Sequence, residues 1–237
     1  MNVKEGFWKF HNMHEGETGL VVANGPSLAD VPLEFLKSYI TLGCNRVSLM
    51  APKFVPTYYA CIGRNQVDLP EQRETMYPMM AHPDCKASFI NRLYAHFFPF
   101  EEVYPIMGGY YYGLDNTRFF SYDPLNILGL GATMTFILLE IAFYMGFNPV
   151  LIVGLDHNYP KGTKKHFYDD GDVPLFESAP GPIYDNDNET WQQAATAMLN
   201  LAREVYDKNG REIINLTSNS QCPSFRKEEL SAWFDKD

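Results

Sequence analysis

Residues Leu20-Val21-Val22-Ala23 run without a polar break straight into Asn24-Gly25-Pro26-Ser27-Leu28. A strand that faces water on one side alternates apolar with polar residues; an unbroken apolar run suits a strand covered on both faces, as in a parallel sheet between helices. The residues that follow break it sharply. Gly25 lets the main chain approach a ligand, Pro26 stiffens the turn, and the Ser27 hydroxyl can cap a following helix. A helix that starts there favours an anionic ligand. An ordinary strand-to-helix bend would use the same four residues.

The rest of the chain repeats the alternation. Strands are expected over 19–23, 40–44, 57–62, 87–91, 149–154 and 212–215, and helices over 32–37, 70–80, 132–145, 189–209 and 226–234. This pattern predicts an α/β fold: a Rossmann-like, mostly parallel sheet with helices on both faces, plus a lid insertion. With 46% hydrophobic residues over 237 positions, residues 1–237 are read as one α/β domain with a sizeable core. The apolar stretch 127–147 is long enough to cross a bilayer, but Glu140 lies in it, Gly129 and Gly131 open it, and a strand follows at once. The helix and strand together read as half of a buried α/β unit, and no membrane span is expected.

Two regions interrupt the alternation. Residues 94–123 are rich in Phe and Tyr and read as an insertion whose rings mostly fill core. Residues 157–188 carry Pro160, Gly162, Gly171, Pro174, Pro180, Gly181 and Pro182 among many charges. A connection this long, starting at the carboxyl edge of a buried strand, reads as a lid.

The net charge of −10 argues against a broad nucleic-acid or anionic-lipid footprint and favours a small-molecule or glycan substrate. Four cysteines without CxxC spacing suit reduced thiols and give no structural zinc site. Lys4, Glu5, Lys9 and Glu15 leave no apolar core for a secretion signal, so a cytoplasmic protein is expected, with room for a homo-oligomer.

In doubly wound sheets the ligand gathers at the carboxyl ends of strands. That rule picks out Asn24, Gly25 and Ser27 after the first strand, Asn45 and Arg46 after the second, Gly63, Arg64 and Asn65 after the third, and Asp156, His157 and Tyr159 after residue 153. Amides, hydroxyls and guanidinium groups there suit a base edge, a ribose and a phosphate. Gly129-Leu130-Gly131-Ala132-Thr133 could offer backbone N–H groups and the Thr133 hydroxyl to a phosphate, or the glycines could serve close helix packing. Neither GxxxxGK[ST] nor GxGxxG is complete. Asp156-His157 is the candidate for proton transfer if both side chains turn into one pocket. In the lid, His166, Tyr168, Asp169 and Asp170 could close over a ligand and Lys161, Lys164 and Lys165 could meet phosphate, while Asp185, Asp187 and Glu189 could hold a hard cation or cap the next helix.

Val22-Ala23-Asn24-Gly25-Pro26-Ser27-Leu28, Cys44-Asn45-Arg46, Gly131-Ala132-Thr133 and Gly154-Leu155-Asp156-His157-Asn158-Tyr159 together resemble one superfamily, over roughly residues 18–218. It comprises small bacterial sialyltransferases that use CMP-sialic acid and the domain-of-unknown-function 115 group, which includes archaeal 6-hydroxymethylpterin diphosphokinases and flagellin glycosyltransferases. The resemblance implies nucleotide contacts from Asn24, Gly25, Ser27, Asn45, Gly131 and Thr133, with Tyr159 and Tyr168 as lid tyrosines for the phosphate. The sialyltransferases place a catalytic His at the end of the lid, where this chain reads Pro180-Gly181-Pro182-Ile183-Tyr184-Asp185-Asn186-Asp187. A different base, His157 or Asp185, or a different reaction is then required. The leading expectation is a glycosyltransferase that uses a nucleotide-sugar, a CMP-sugar first, and needs no cofactor or metal. The others are an ATP- and Mg²⁺-dependent diphosphokinase and a non-catalytic nucleotide-binding domain.

Overall fold

The computed structural model describes residues 7–63, 67, 70–111, 119–124, 127–158, 166–168 and 188–234. Its centre is an eight-stranded sheet built from β1 (Gly19–Val22), β2 (Ile40–Cys44), β3 (Tyr58–Cys61), β4 (Ala87–Asn91), β5 (Val103–Ile106), β8 (Val150–Val153), β9 (Ile213–Asn215) and β10 (Arg226–Lys227). The order across it is β10-β9-β8-β1-β2-β3-β4-β5, and every pair is parallel. Two further strands, β6 (Gly108–Tyr111) and β7 (Leu128–Leu130), pair with each other apart from it.

The unbroken apolar runs have the cause anticipated from sequence, since side chains alternate between faces along a strand. Val21, Val150 and Ile152 enter the core beneath α4 (Met134–Met145) and α5 (Asn188–Lys208). Leu20, Val22, Leu151 and Val153 enter the opposite layer, with Phe35 and Leu36 of α1 (Leu33–Lys37). On that second face, Tyr59 and Cys61 meet the methionines of α3 (Tyr77–Met80). Both faces are covered.

The chain steps from β1 outward to β5, then returns to lay β8 on the other side of β1. Val22 is therefore flanked by Gly43 and Val153, and the turn after β1 lies where strand order reverses, the place at which open α/β sheets bind ligands. Both α4 and α5 precede parallel strands and so begin at that same carboxyl edge.

The stretch 127–147 contains β7 and the twelve-residue α4, not one long helix. Thr133 caps α4, its hydroxyl accepting from Thr135 N–H at 3.3 Å, and Thr135 to Met145 are buried throughout. Among the described residues no helix is long and apolar enough to cross a membrane. Glu140 is fully buried in mid-helix and accepts the N–H of Ser121 at 2.6 Å and of Gly129 at 3.0 Å. One side chain thus ties the aromatic insertion and β7 to the helix. Burial pushes the Glu140 carboxyl well above the usual carboxylate range against the pull of those donors.

At its other end α4 is finished by the beginning of the described chain. Asn12, His14 and Gly16 donate their N–H groups to the carbonyls of Tyr144, Met145 and Gly146 at 3.0, 2.8 and 3.0 Å. Those are last-turn carbonyls for which a helix has no internal donor. Gly146 has φ +94°, and a Cβ there would lie 2.9 Å from Glu15 Cα, so it must be glycine for its backbone and for room.

Three sequence expectations need correction. The helix expected over 226–234 is absent: Arg226–Lys227 join the sheet beside β9, Glu228 N–H donates to Asn215 O at 3.2 Å, and only a 3₁₀ turn, Leu230–Trp233, follows. Strand pairing claims the backbone groups a helix would need. The helix expected over 70–80 is two short ones, α2 (Pro70–Glu74) and α3, because Pro78 has no N–H to offer Glu74 O. Finally, β5 lies inside the supposed aromatic insertion as an edge strand with one face buried and the other half-buried, where Pro105 is tolerated.

Candidate active site at the carboxyl edge

Asn24 leaves β1 and its side-chain N–H₂ donates to Cys44 O at 3.1 Å and approaches Cys44 Sγ at 3.2 Å. This fixes the amide so that Oδ1 is buried and has no donor. Asn45, in the neighbouring position at the end of β2, has φ +48°, a conformation asparagine tolerates better than most residues. Its carbonyl accepts from Tyr59 OH at 2.7 Å, and its own Oδ1 is likewise buried without a donor. Three residues on, the Ser48 hydroxyl, 3% exposed, has no partner either. Three polar atoms lacking partners at two adjacent strand ends are costly unless a ligand or water meets them, about 1–3 kcal/mol each.

Ser27 does not cap a helix. It lies inside a 3₁₀ turn, Pro26–Asp30, and gives its hydroxyl to Asp156 Oδ2 at 2.8 Å and its N–H to both carboxylate oxygens at 3.3 Å. The anion expected at this turn is an internal one. Gly25 serves the same approach: its N–H donates to Gly154 O at 2.9 Å, and a Cβ would lie 2.0 Å from Asp156 Oδ2.

Asp156 and His157 do not face one pocket. Asp156 turns back to Ser27, while His157, at φ +52°, turns towards α5. The segment between is held from every side. Leu155 N–H donates to Thr217 Oγ1 at 2.9 Å, Leu155 O accepts from Ser220 Oγ at 2.5 Å, Asp156 O from Gln221 N–H at 2.8 Å and His157 O from Gln192 Nε2 at 2.7 Å. Those bonds determine a backbone shape that a histidine rarely takes. Asn45, Ala132, His157 and Asn219 all have positive φ and follow strands or precede α4 at the carboxyl edge; among the described residues only Asn12 shares that shape elsewhere without being glycine.

His157 is 2% exposed, and its Nε2 lies 2.7 Å from Thr196 Oγ1. The Thr196 hydroxyl hydrogen goes to Gln192 O at 2.8 Å, so Thr196 offers His157 a lone pair and the ring hydrogen sits on Nε2. Burial lowers the imidazole pKa, keeping it neutral at neutral pH. Beside it opens a cavity of about 480 Å³ lined by Gln192, Gln193, Thr196, Asn200 and Gln221.

Gly131 and Thr133 stand at the start of α4, also on this edge. A Cβ on Gly131 would lie 2.4 Å from the Phe136 ring, so its smallness serves helix packing. Of the lid, Phe167 N–H donates to Asn24 O at 3.0 Å while Tyr168 stacks on His166 with ring centres 4.8 Å apart. Tyr168 is thereby brought beside the Asn24 turn. Arg64, Tyr159, Asp185 and most of the lid lie outside the described residues.

Sequence reasoning passed over the polar row of α5, although Gln192, Thr196 and Asn200 recur every four residues along the border of the face that buries Ala195, Met198, Leu199 and Ala202. It also missed Ser48, which carries no signal in the sequence. Among the described residues no group of three or more His, Cys, Asp or Glu side chains could hold a metal ion.

A solved structure, a MAf glycosyltransferase from Magnetospirillum magneticum AMB-1, matches 94% of this chain with a TM-score of 0.60 and 13% identity. The chain spans 35% of that protein. At this identity the likeness is one of fold: a glycosyltransferase-like, Rossmann-like parallel sheet. No protein-family model and no curated protein sequence matches the chain.

Proposed function

We propose that this chain is a glycosyltransferase that takes its sugar from a nucleotide-activated donor, a CMP-sugar first, and delivers it to a glycan or small-molecule acceptor. The observation that carries the reading is the pair of buried amide oxygens, Asn24 Oδ1 and Asn45 Oδ1, lacking donors at adjacent strand ends where the sheet reverses. Acceptors want a ligand rich in N–H and O–H groups. The amino group of cytosine and the ribose hydroxyls offer them, and phosphate oxygens do not. The phosphate is assigned to the start of α4, where Gly131 and Thr133 stand, because Asp156 already holds the Ser27 turn. Tyr168 and Tyr159 complete that side on the family resemblance. His157 is the candidate base, since an acceptor hydroxyl must lose its proton to an unprotonated group, with Asp185 the other. Asp156 is then a positioning residue for the turn. The MAf glycosyltransferase fold and the sequence resemblance support the same class.

A thermal-shift screen of CMP, UDP, GDP and ATP, each with and without Mg²⁺, tests this reading. CMP at about a hundred times its Kd should stabilise the protein by ~2.7 kcal/mol, a rise in Tm of about 5–10 °C, without metal. Asn45→Gly deletes the amide yet suits φ +48°, so it should weaken CMP about tenfold with little change in the unliganded Tm. A shift with ATP alone, and only with Mg²⁺, would transfer the assignment to a diphosphokinase. No shift with any nucleotide would refute nucleotide-dependent catalysis.

A further inference from the structure

We infer that the cavity between His157 and α5 is a binding site for a neutral, polyhydroxylated sugar ring. Its lining carries the argument. Gln192, Gln193, Asn200 and Gln221 bring four carboxamides, Thr196 a hydroxyl and His157 an imidazole to one space of about 480 Å³. A carboxamide both donates and accepts, which matches a vicinal diol better than it matches an ion. Among the described residues no Lys, Arg, Asp or Glu lines it, so none of these side chains gives a carboxylated sugar or a phosphate a counter-charge. Ala197, one turn before the level of Asn200 on the same helix, leaves the space open, and Pro223 closes it with an apolar edge of the kind a ring C–H face packs against.

The site is built rather than incidental. The left-handed backbone at His157 turns the imidazole away from Asp156 and towards α5, and Gln192 holds the His157 carbonyl. The cavity opens at the same carboxyl edge as Asn24 and Asn45, with the Asp156–Ser27 contact between them. In the context of the glycosyltransferase reading, on which this role rests, the ring is either the acceptor or the donor's glycosyl group. A neutral donor sugar would exclude sialic acid as the group transferred.

Saturation-transfer NMR on the whole protein tests the site with methyl β-glucoside, methyl α-galactoside and N-acetylglucosamine as neutral probes, and N-acetylneuraminic and glucuronic acids as acidic ones. At least one neutral probe should bind at millimolar concentration and the acidic probes about tenfold more weakly or not at all. Ala197→Phe should fill the cavity and weaken neutral binding about tenfold, and the milder Asn200→Ala should weaken it a few-fold with its fold intact by circular dichroism. Neutral sugars binding Ala197→Phe as they bind the parent, acidic sugars binding equally well, or no neutral probe binding at all would each overturn the inference. A nucleotide donor of a neutral sugar that displaces a bound neutral sugar, where the nucleotide alone does not, identifies the donor's glycosyl group; displacement by neither identifies the acceptor. Should no nucleotide bind while neutral sugars do, the donor reading fails and the sugar site stands.

Discussion

Replacing Gly25 with Ala isolates what holds the edge of the sheet together. Gly25 has φ −67° and ψ 163°, which alanine adopts without strain, so the entire cost is one of room. The added methyl would lie 2.0 Å from Asp156 Oδ2 and 2.5 Å from Gly154 O. The carboxylate can swing aside only by leaving Ser27, forfeiting charge-assisted hydrogen bonds that contribute ~1.5–3 kcal/mol. The carbonyl of Gly154 is backbone, and parting it from Gly25 adds an overpacking cost of ~1–3 kcal/mol. Gly25→Ala should therefore lose about 3–5 kcal/mol, a large share of a typical domain's stability. Asp156→Ala alone should lose about 2–3 kcal/mol through the N–H and hydroxyl of Ser27 left without their acceptor. In the double variant the carboxylate is lost only once, so its cost should fall short of the sum by about 2 kcal/mol. Urea unfolding of the four proteins, compared at equal m-values, measures this cycle. Additivity to within ~0.5 kcal/mol would refute the claim that Gly25 is small on account of Asp156.

Two pH dependences follow from buried groups. His157 is held neutral, so between its unfolded pKa of 6.5 and its lower folded value the unfolded chain binds more protons; stability is full above that window and falls as pH drops through it. His157→Gln should flatten that part of the curve of urea midpoint against pH, and an unchanged slope would count against the assignment. Glu140 has the opposite sign: with its folded pKa above the ordinary 4.5, stability is full below that value and declines as pH rises from it towards the folded pKa. Glu140→Gln, which keeps an acceptor for Ser121 and Gly129, should remove that decline and stay within about 1 kcal/mol at pH 5, whereas Glu140→Ala, which keeps none, should cost about 3 kcal/mol.

The sheet was readable from sequence because β1 and β8 are apolar at every position, and only burial on both faces asks for that. The edge was harder. Val103–Ile106 mixes half-buried with buried positions and contains Pro105, so its alternation is swamped by the aromatic residues around it. Arg226 to Phe234 has a plausible helical pattern, but a neighbouring strand takes its backbone, a tertiary fact that local propensity does not contain. Asn24, Gly25, Asn45 and Asp156 were identifiable as a group by their place after strands. What each one touches was not. Adjacent residues Asp156 and His157 diverge because of one backbone angle, and the partner of Ser27 lies 129 positions away.

The contact between residues 12–16 and the last turn of α4 carries a consequence for synthesis of the protein. The donors of Asn12, His14 and Gly16 leave the ribosome ahead of their acceptors and have no carbonyls to meet until Tyr144, Met145 and Gly146 have followed. Until then residues 7–16 are an unsheltered strip that includes Phe7 and Phe10, both core residues. Chaperone binding should concentrate there on nascent chains.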